Sequence, residues 1–149
     1  MNQRIATFNR ILRLREDSRR NEQTILAAER SEEQSVMNHL AQLETEKTQA
    51  ILDFSTAGSK TLSANDLWFQ RQFIDAINTD IMKGNDSLAD VRTRIAGTEA
   101  RLVEKHKDVR IMETYIDHLK QADFQEQLNI EQNELDDVAS IQFSHKGVF

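Results

Sequence analysis

The sequence has few residues that end helices and no cysteine that could cross-link the fold. Its 149 residues include no proline, no cysteine and only four glycines, and aromatic residues make up 6%. The lack of proline and glycine leaves few turn signals, and the lack of cysteine excludes disulfides and thiolate metal sites. No signal peptide or membrane span is expected, because no apolar stretch approaches the roughly 18 residues that a span needs. These absences predict a soluble, cytoplasmic chain of very few, very long helices.

The second half of the chain carries a heptad repeat. Every seventh residue from Ile74 to Ile116, the a position of the heptad, is aliphatic. The residue three places after each of these, the d position, is apolar except at Gly84, Thr98 and Lys105. This a/d pattern is typical of a helix that packs along another helix. The first fifty residues also show helical apolar spacing, although its phase slips.

The helix boundaries follow from the few turn signals. The stretch 55–65 is the only loop-like segment in the middle; it contains Gly58, and Ser63 followed by Asp66 has the spacing of a capping box. An N-cap at Asn65 or Asp66 is the alternative. We therefore predict one elongated domain over 1–149, with helix one at about 2–54, a loop at about 55–65, helix two at about 66–141 and a frayed tail at 142–149.

Matching the two helices favours an antiparallel hairpin. A turn near residue 60 places residue i across from about residue 120 − i, so most apolar residues of helix two meet apolar residues of helix one. The polar residues of the two helices also face each other, because Thr98 and Lys105, which interrupt the apolar pattern of helix two, lie opposite a polar stretch of helix one. The expected pairs include Gly84 with Val36, Thr98 with Glu22, Lys105 with Arg15, and Met112 with Phe8. A parallel dimer remains the alternative.

Residues 120–149 have no partner in helix one under this register. Their apolar residues Leu128, Leu135, Val138 and Ile141 keep a helical rhythm, so the predicted helix continues without a partner to about Ile141. The predicted fold is therefore all-α: a long antiparallel two-helix coiled-coil hairpin with a C-terminal helical overhang.

Charge is distributed unevenly along the chain. The net charge of −6 disfavours nucleic acid as a partner, yet residues 1–20 hold six arginines and residues 121–137 hold six acids without a lysine or arginine. One interpretation is two solvated helix faces. The other is that the charged ends dock on a partner of opposite sign.

The sequence carries no pattern of catalytic or metal-ligating residues. The histidines at 39, 106, 118 and 145 are scattered, and none has a glutamate three residues before it, as a di-metal site in a helix bundle would need. No metalloprotease or phosphate-binding motif occurs. We expect a protein without enzymatic activity, cofactor or metal.

The densest apolar patch lies at the start of helix two. The seam there needs Leu67 and Ile74, but it does not need Trp68, Phe69 and Phe73 together. One interpretation is that these aromatic side chains wrap the end of the hairpin. The other is an exposed anchor for a partner, because aromatic residues concentrate at binding hot spots.

Two short motifs carry a resemblance to a known family. Helix two opens with Phe-Gln-Arg-Gln-Phe-Ile at 69–74, and the overhang contains Glu-Gln-Asn-Glu-Leu-Asp-Asp-Val-Ala at 131–139. In these motifs, in length and in helix order the chain resembles the FliJ family, the stalk proteins of flagellar type III export. The YscO-type stalks of injectisomes are similar in design. Asp80, Gly84 and Asn129 depart from the family's usual residues.

The resemblance implies a function as well as a fold. Such proteins resemble the shaft of rotary ATPases: their termini side enters the hexameric export ATPase, helix two contacts the export-gate membrane protein, and they escort export chaperones. The resemblance further implies a monomer at the cytoplasmic face of the export apparatus, without direct membrane insertion. The predicted gate contacts are Phe73, Ile77, Trp68 and Phe69, and the predicted ATPase contacts are Arg10, Arg13, Gln132, Leu135 and Asp136. The rival hypothesis is a cytoskeletal or scaffolding coiled coil that dimerises in parallel.

Overall fold

The computed structural model describes residues 2–57 and 63–146, and nearly all of them are helical. Helix α1 runs Asn2–Ala57 and helix α2 runs Ala64–Lys146, with lengths of 56 and 83 residues. No strand occurs in these two ranges. The all-α class that the sequence predicts is confirmed.

Both helices extend further than the sequence signals indicated. Helix α1 ends at Ala57 instead of residue 54, and α2 begins at Ala64 and continues to Lys146, past the predicted end at Ile141. The reason is that no proline or glycine interrupts either end, so each helix continues through residues that tolerate helical geometry. The expected glycine cap at Gly58 lies outside the described residues.

Ser63 caps the N-terminus of α2. Its hydroxyl accepts a hydrogen bond from the backbone N–H of Asp66 at 3.3 Å and donates one to the Asp66 carboxylate at 2.9 Å. The carboxylate also lies where the partial positive charge of the helix N-terminus stabilises an anion. The structure thus selects the capping arrangement of Ser63 with Asp66 over an N-cap at Asn65 or Asp66.

The contacts divide the chain into two compact units, which are described separately. The termini unit comprises residues 1–20 and 103–149, and the hairpin unit comprises residues 21–102. Both divisions fall in the stretch where the sequence predicts a polar seam. The prediction of one continuous domain stays a prediction.

The hairpin unit is held by a narrow core along the heptad positions of α2. Its buried side chains include Ile77, Val91 and Ile95 of α2, together with Leu26 and Leu43 of α1. Leu26, Val91 and Ile95 form one cluster, with a partly buried leucine at the next a position packed against it. The a/d pattern therefore identifies the buried face of α2 correctly.

The two helices run antiparallel in this unit, and Leu26 clusters with Val91 and Ile95, on either side of its predicted position opposite residue 94. Glu22 pairs with Arg101 at 3.4 Å, three residues beyond its predicted partner Thr98, and Gly84 lies against Leu40. A shift of three or four residues returns the same face of a helix to its partner. Apolar periodicity alone therefore does not separate registers one turn apart, and the observed contacts lie within about one turn of the expected pairing.

Thr98 shows how a polar residue fits into this core. It is fully buried, and its hydroxyl accepts a hydrogen bond from the guanidinium of Arg101 at 2.9 Å. That guanidinium also contacts the largely buried carboxylate of Glu22. A polar residue thus occupies this d position with its hydroxyl hydrogen-bonded, and the Thr98 hydroxyl is not left unsatisfied in the core.

Ion pairs between the helices flank the same core. Arg94 binds the carboxylate of Glu32 through two nitrogens, at 2.8 and 3.1 Å, and Arg92 binds Glu33 at 3.2 Å. Exposed pairs of this kind add little stability, but charges that flank a coiled-coil seam select the orientation and register of the partners. These pairs provide the register information that the apolar pattern lacks.

The termini unit is held by a short core and an aromatic contact. Val109, Met112 and Ile116 are buried, and the ring of Phe8 packs edge-on against Tyr115 at 4.9 Å. Tyr115 lies three residues beyond Met112, the predicted partner of Phe8. The two helices are again antiparallel, because Arg15, further along α1, bonds to the carbonyl of residue 108, which is earlier in α2.

The C-terminal part of α2 has no helix packed along it in this unit. Every described side chain from Lys120 to Ser144 is exposed except Asp123, which is half-buried. We call residues 120–146 the overhang. The heptad explains where it begins, because four of the five a and d positions from 123 to 137 are polar. The predicted helical overhang is confirmed.

The close approach at Gly84 generates a first prediction. A Cβ atom at Gly84 would lie 2.6 Å from the Cδ2 atom of Leu40, whereas a Cβ at Gly97 would meet only an arginine nitrogen at 3.5 Å. Gly97→Ala should stabilise the protein by about 0.5–1 kcal/mol, the usual gain of alanine over glycine in a helix. Gly84→Ala should gain less, because the Leu40 side chain must move. Equal gains in thermal unfolding would contradict the contact.

The Glu32–Arg94 pair generates a prediction about acid. Hydrogen bonding from Arg94 holds the pKa of Glu32 below its ordinary value of 4.5. A lowered folded-state pKa gives stability that is present above the unfolded pKa and is lost as the pH falls through the folded one. Glu32→Gln should therefore lower the melting temperature slightly at pH 7, and that difference should vanish in acid.

The matched control is Glu44→Gln, on the exposed surface of the same helix. It should change the melting temperature less than Glu32→Gln at pH 7. A difference between wild type and Glu32→Gln that persists undiminished at pH 2 would contradict the assigned pKa shift.

Candidate partner-binding surfaces

Three aromatic side chains at the start of α2 are exposed. Trp68, Phe69 and Phe73 are 56%, 65% and 57% accessible, and the first two rings meet edge-to-face at 5.0 Å. They occupy the b, c and g positions of the heptad, which lie outside the a/d seam. We call these three residues the aromatic surface. All three side chains therefore lie outside the buried core of the hairpin unit.

Helix α1 contributes to a groove beside this surface. Ala50 and Asp53 of α1 line it together with Phe69, Gln70 and Phe73 of α2, around a volume of about 260 Å³. Gln70 occupies a d position, and its side-chain oxygen is shielded from solvent with no hydrogen-bond partner in the protein. A polar side chain at a core position is the only signal for this groove in the sequence.

Ile77 is placed differently from the other predicted gate contacts. It is 4% exposed and belongs to the core of the hairpin unit. Its aliphatic side chain fits the d position that the heptad gives it. Its assignment as a partner contact stays a prediction.

The predicted termini-side contacts are exposed but do not form one cluster. Arg10 and Arg13 lie on the exposed face of α1 in the termini unit. Phe8, one turn earlier, packs on Tyr115, and Gln132 follows Tyr115 by 17 residues, or roughly 25 Å along the helix. The two arginines and the overhang motif are therefore separate surfaces of this unit.

The overhang presents apolar side chains with acidic neighbours. Leu135 is 69% exposed, and with Val138 it lies beside Glu131 and Glu134 in a shallow depression. The other exposed large apolar residues of the overhang are Phe124, Leu128, Ile130, Ile141 and Phe143. Because apolar patches of this extent are uncommon on monomeric proteins, the overhang is a candidate binding helix.

An arginine–aromatic contact in the termini unit has no clear sequence signal. Arg4 donates a hydrogen bond to the hydroxyl of Tyr115 at 3.0 Å and lies 5.9 Å from the centre of the Phe8 ring. The group ties the first turns of α1 to α2. This contact lies next to the part of α2 after which the overhang begins.

The described part of the chain shows no arrangement suited to metal chemistry. Among residues 2–57 and 63–146 no three histidine, aspartate or glutamate side chains converge as metal ligands, and His39, His106 and His118 are exposed. Within the same ranges neither helix has a segment apolar enough to cross a membrane.

Comparison with known proteins gives a match to a family model. Residues 4–148 match the family model described as Flagellar FliJ protein, which covers nearly the whole chain. Searches of curated proteins and of solved structures return no significant match.

Proposed function

Because the chain belongs to the flagellar FliJ family, we propose that it is a non-enzymatic coupling protein of flagellar type III export at the cytoplasmic face of the export apparatus. The family match covers residues 4–148 and gives the link to flagellar export. The observation that carries the coupling role is that each unit has a prominent apolar surface outside its core. These are the aromatic surface of the hairpin unit and the overhang of the termini unit.

The aromatic surface is the proposed contact for the export-gate membrane protein. Its three rings are already held at the start of a rigid helix, so binding orders few additional side chains. Large aromatic side chains of this kind dominate the binding energy of many interfaces. Phe73 is the proposed anchor, with Trp68 and Phe69 beside it and Ile77 supporting the helix face from the core.

The overhang and the exposed arginines of α1 are the proposed contacts for the hexameric export ATPase. Leu135 supplies an apolar contact, Gln132 and Asp136 supply polar ones, and Arg10 and Arg13 offer charges to the ring. Insertion of this helical unit would bias the arrangement of the ATPase subunits. The proposed coupling is mechanical and allosteric.

Export chaperones are the third proposed class of partner. An unpartnered amphipathic helix is a common docking element for partner grooves, and the overhang has the required apolar residues at helical spacing. We propose a monomeric stalk. About half of its a/d residues, including Val91 and Val109, are already buried between antiparallel segments of one chain, which disfavours the parallel dimer of the scaffolding hypothesis.

Phe73→Ala tests the gate contact. Because Phe73 is 57% exposed, the variant should keep helicity and melting temperature close to wild type. Its affinity for the purified soluble domain of the export-gate protein should fall at least tenfold, as expected when a hot-spot aromatic is truncated. Titration calorimetry measures both affinities.

Phe124→Ala is the matched control for this test, since Phe124 is a similarly exposed phenylalanine of the overhang. It should leave gate affinity unchanged. Equal gate affinity for wild type and Phe73→Ala would remove the aromatic surface from the proposal.

Truncation to residues 1–119 tests the ATPase contact. The buried side chains of α2 end at Ile116, so the shortened chain should retain its fold and melt near the wild-type temperature. Its stimulation of the export ATPase should be lost, because the proposed contact helix is gone. Leu135→Asp in the full-length chain should reproduce most of that loss, whereas Phe73→Ala should not. Undiminished stimulation by the truncated chain would rule out ring insertion through the overhang.

A further inference from the structure

The side of α2 away from the seam carries a second heptad row in the termini unit. This row consists of the c and f positions, which lie two and five residues after each a position. From Ile111 to Ala139 every c and f residue is exposed, and none of them is an aspartate, glutamate, lysine or arginine. The large apolar residues of the row are Ile111, Leu128 and Leu135. We call this row the outer stripe. An uncharged row at heptad spacing is what one helix offers to another.

The charge beside the outer stripe changes sign along the termini unit. Residues 2–20 hold six arginines and two acids, and residues 103–120, which pack against them, hold four basic residues and four acids. The overhang follows with six acids and no lysine or arginine over residues 121–137. The paired helices therefore form the basic end of this unit, and the overhang forms its acidic end.

Two shallow depressions repeat this contrast locally. The first surrounds Ile111 and is lined by Lys107 and Arg110 but by no carboxylate. In the described part of the chain Arg110 takes part in no ion pair. The second depression lies beside Leu135 and is lined by two glutamates but by no cation. Each depression thus combines an exposed aliphatic side chain with charges that the other would neutralise.

The two ends cannot meet within one molecule. Helix α2 is continuous over Ala64–Lys146, so the two depressions stay roughly 30 Å apart along its axis. Two overhangs lying side by side would bring acids together, which like-charge repulsion disfavours. A second copy running antiparallel removes both obstacles, because each overhang then lies along the basic helices of the other copy.

We propose that free chains pair reversibly as a two-fold antiparallel dimer through the outer stripe. With the two-fold axis near residue 123, Ile111 of each copy faces Leu135 of the other. Across the axis the uncharged side chains of Gln121 and Gln125 face each other. The occupant of the acidic overhang is therefore a second copy of this chain.

The pairing has a consequence for the proposed function. A paired overhang is covered by the second copy, so it is not available to the export ATPase. The monomer is the acting form, and the dimer is a form in which the ATPase contact is masked. This consequence rests on the proposed function, whereas the pairing itself does not.

Sedimentation equilibrium of the full-length chain tests the pairing. At low salt the mass should rise from monomer towards dimer between about 5 and 500 μM protein. Lys107→Glu combined with Arg110→Glu should weaken self-association at least tenfold, and so should Glu131→Lys combined with Asp136→Lys. An equimolar mixture of these two variants should associate at least fivefold more tightly than either alone, because opposite charges face each other again.

Matched controls separate the pairing from the effect of net charge. Arg71→Glu combined with Lys83→Glu makes the same charge change at exposed positions of the hairpin unit, and it should leave self-association unchanged. Ile111→Asp should abolish pairing, whereas Met82→Asp, at a similarly exposed apolar residue, should not. A chain that stays monomeric at about 500 μM, or a mixture that does not regain association, would overturn the proposal.

Spin labels test the antiparallel orientation. The chain has no cysteine, so Gln125→Cys and Ala139→Cys each introduce a single labelling site. About an axis near residue 123, two labels at position 125 lie roughly 6 Å apart along the helix axis, and two at position 139 roughly 50 Å apart. Short distances at both positions would mean a parallel dimer and would rule out the antiparallel one.

A cross-linked dimer tests the masking of the overhang. The Gln125→Cys chain, joined to a second copy by a short bis-maleimide, should not stimulate the export ATPase, whereas the same variant capped with a monofunctional maleimide should. Equal stimulation would overturn the masking. If chains pair but the 1–119 truncation still stimulates fully, the ring contact fails and the pairing stands. If the chain stays monomeric while the truncation loses stimulation, the pairing fails and the ring contact stands.

Discussion

The apolar seam between antiparallel helix segments, present in each of the two units, is the interaction on which the rest of this structure depends. A helix of 83 residues is stabilised in water mainly through the packing of one face, and here that face is a row of a/d side chains such as Val91 and Val109. A two-helix seam has no second layer. Every residue outside it stays at the surface, so the same constraint that makes the core narrow makes most of the chain available for contacts.

The seam is also where polar chemistry defines the register. Aliphatic side chains accept partners one turn apart almost equally, since they pack without directional bonds. Directional groups remove that ambiguity: Thr98 bonds to Arg101, Arg101 reaches Glu22, and Arg94 reaches Glu32. Gly84 adds a steric constraint, because Leu40 occupies the space that a larger side chain would need. These contacts contribute more to uniqueness of pairing than to total stability.

The proposed functions follow from what the seam leaves unused. The aromatic surface lies outside the a/d positions, and the overhang begins where those positions become polar after Leu119. Membership of the flagellar FliJ family places both surfaces in a protein of the export machinery. Coupling through such surfaces needs rigid helices and no reacting group.

The sequence by itself determined the helical class, the buried face of α2 and the beginning of the overhang, because heptad spacing and missing turn residues are local properties of the chain. It also indicated Trp68, Phe69 and Phe73 as candidate contact residues, since they lie outside the a/d positions that form the seam. Only the tertiary structure decided the register, the exposure of those rings, the burial of Ile77 and the groove formed with Ala50 and Asp53. These features depend on which residues of two distant segments meet, and a shift of one turn preserves the pattern while changing every contact.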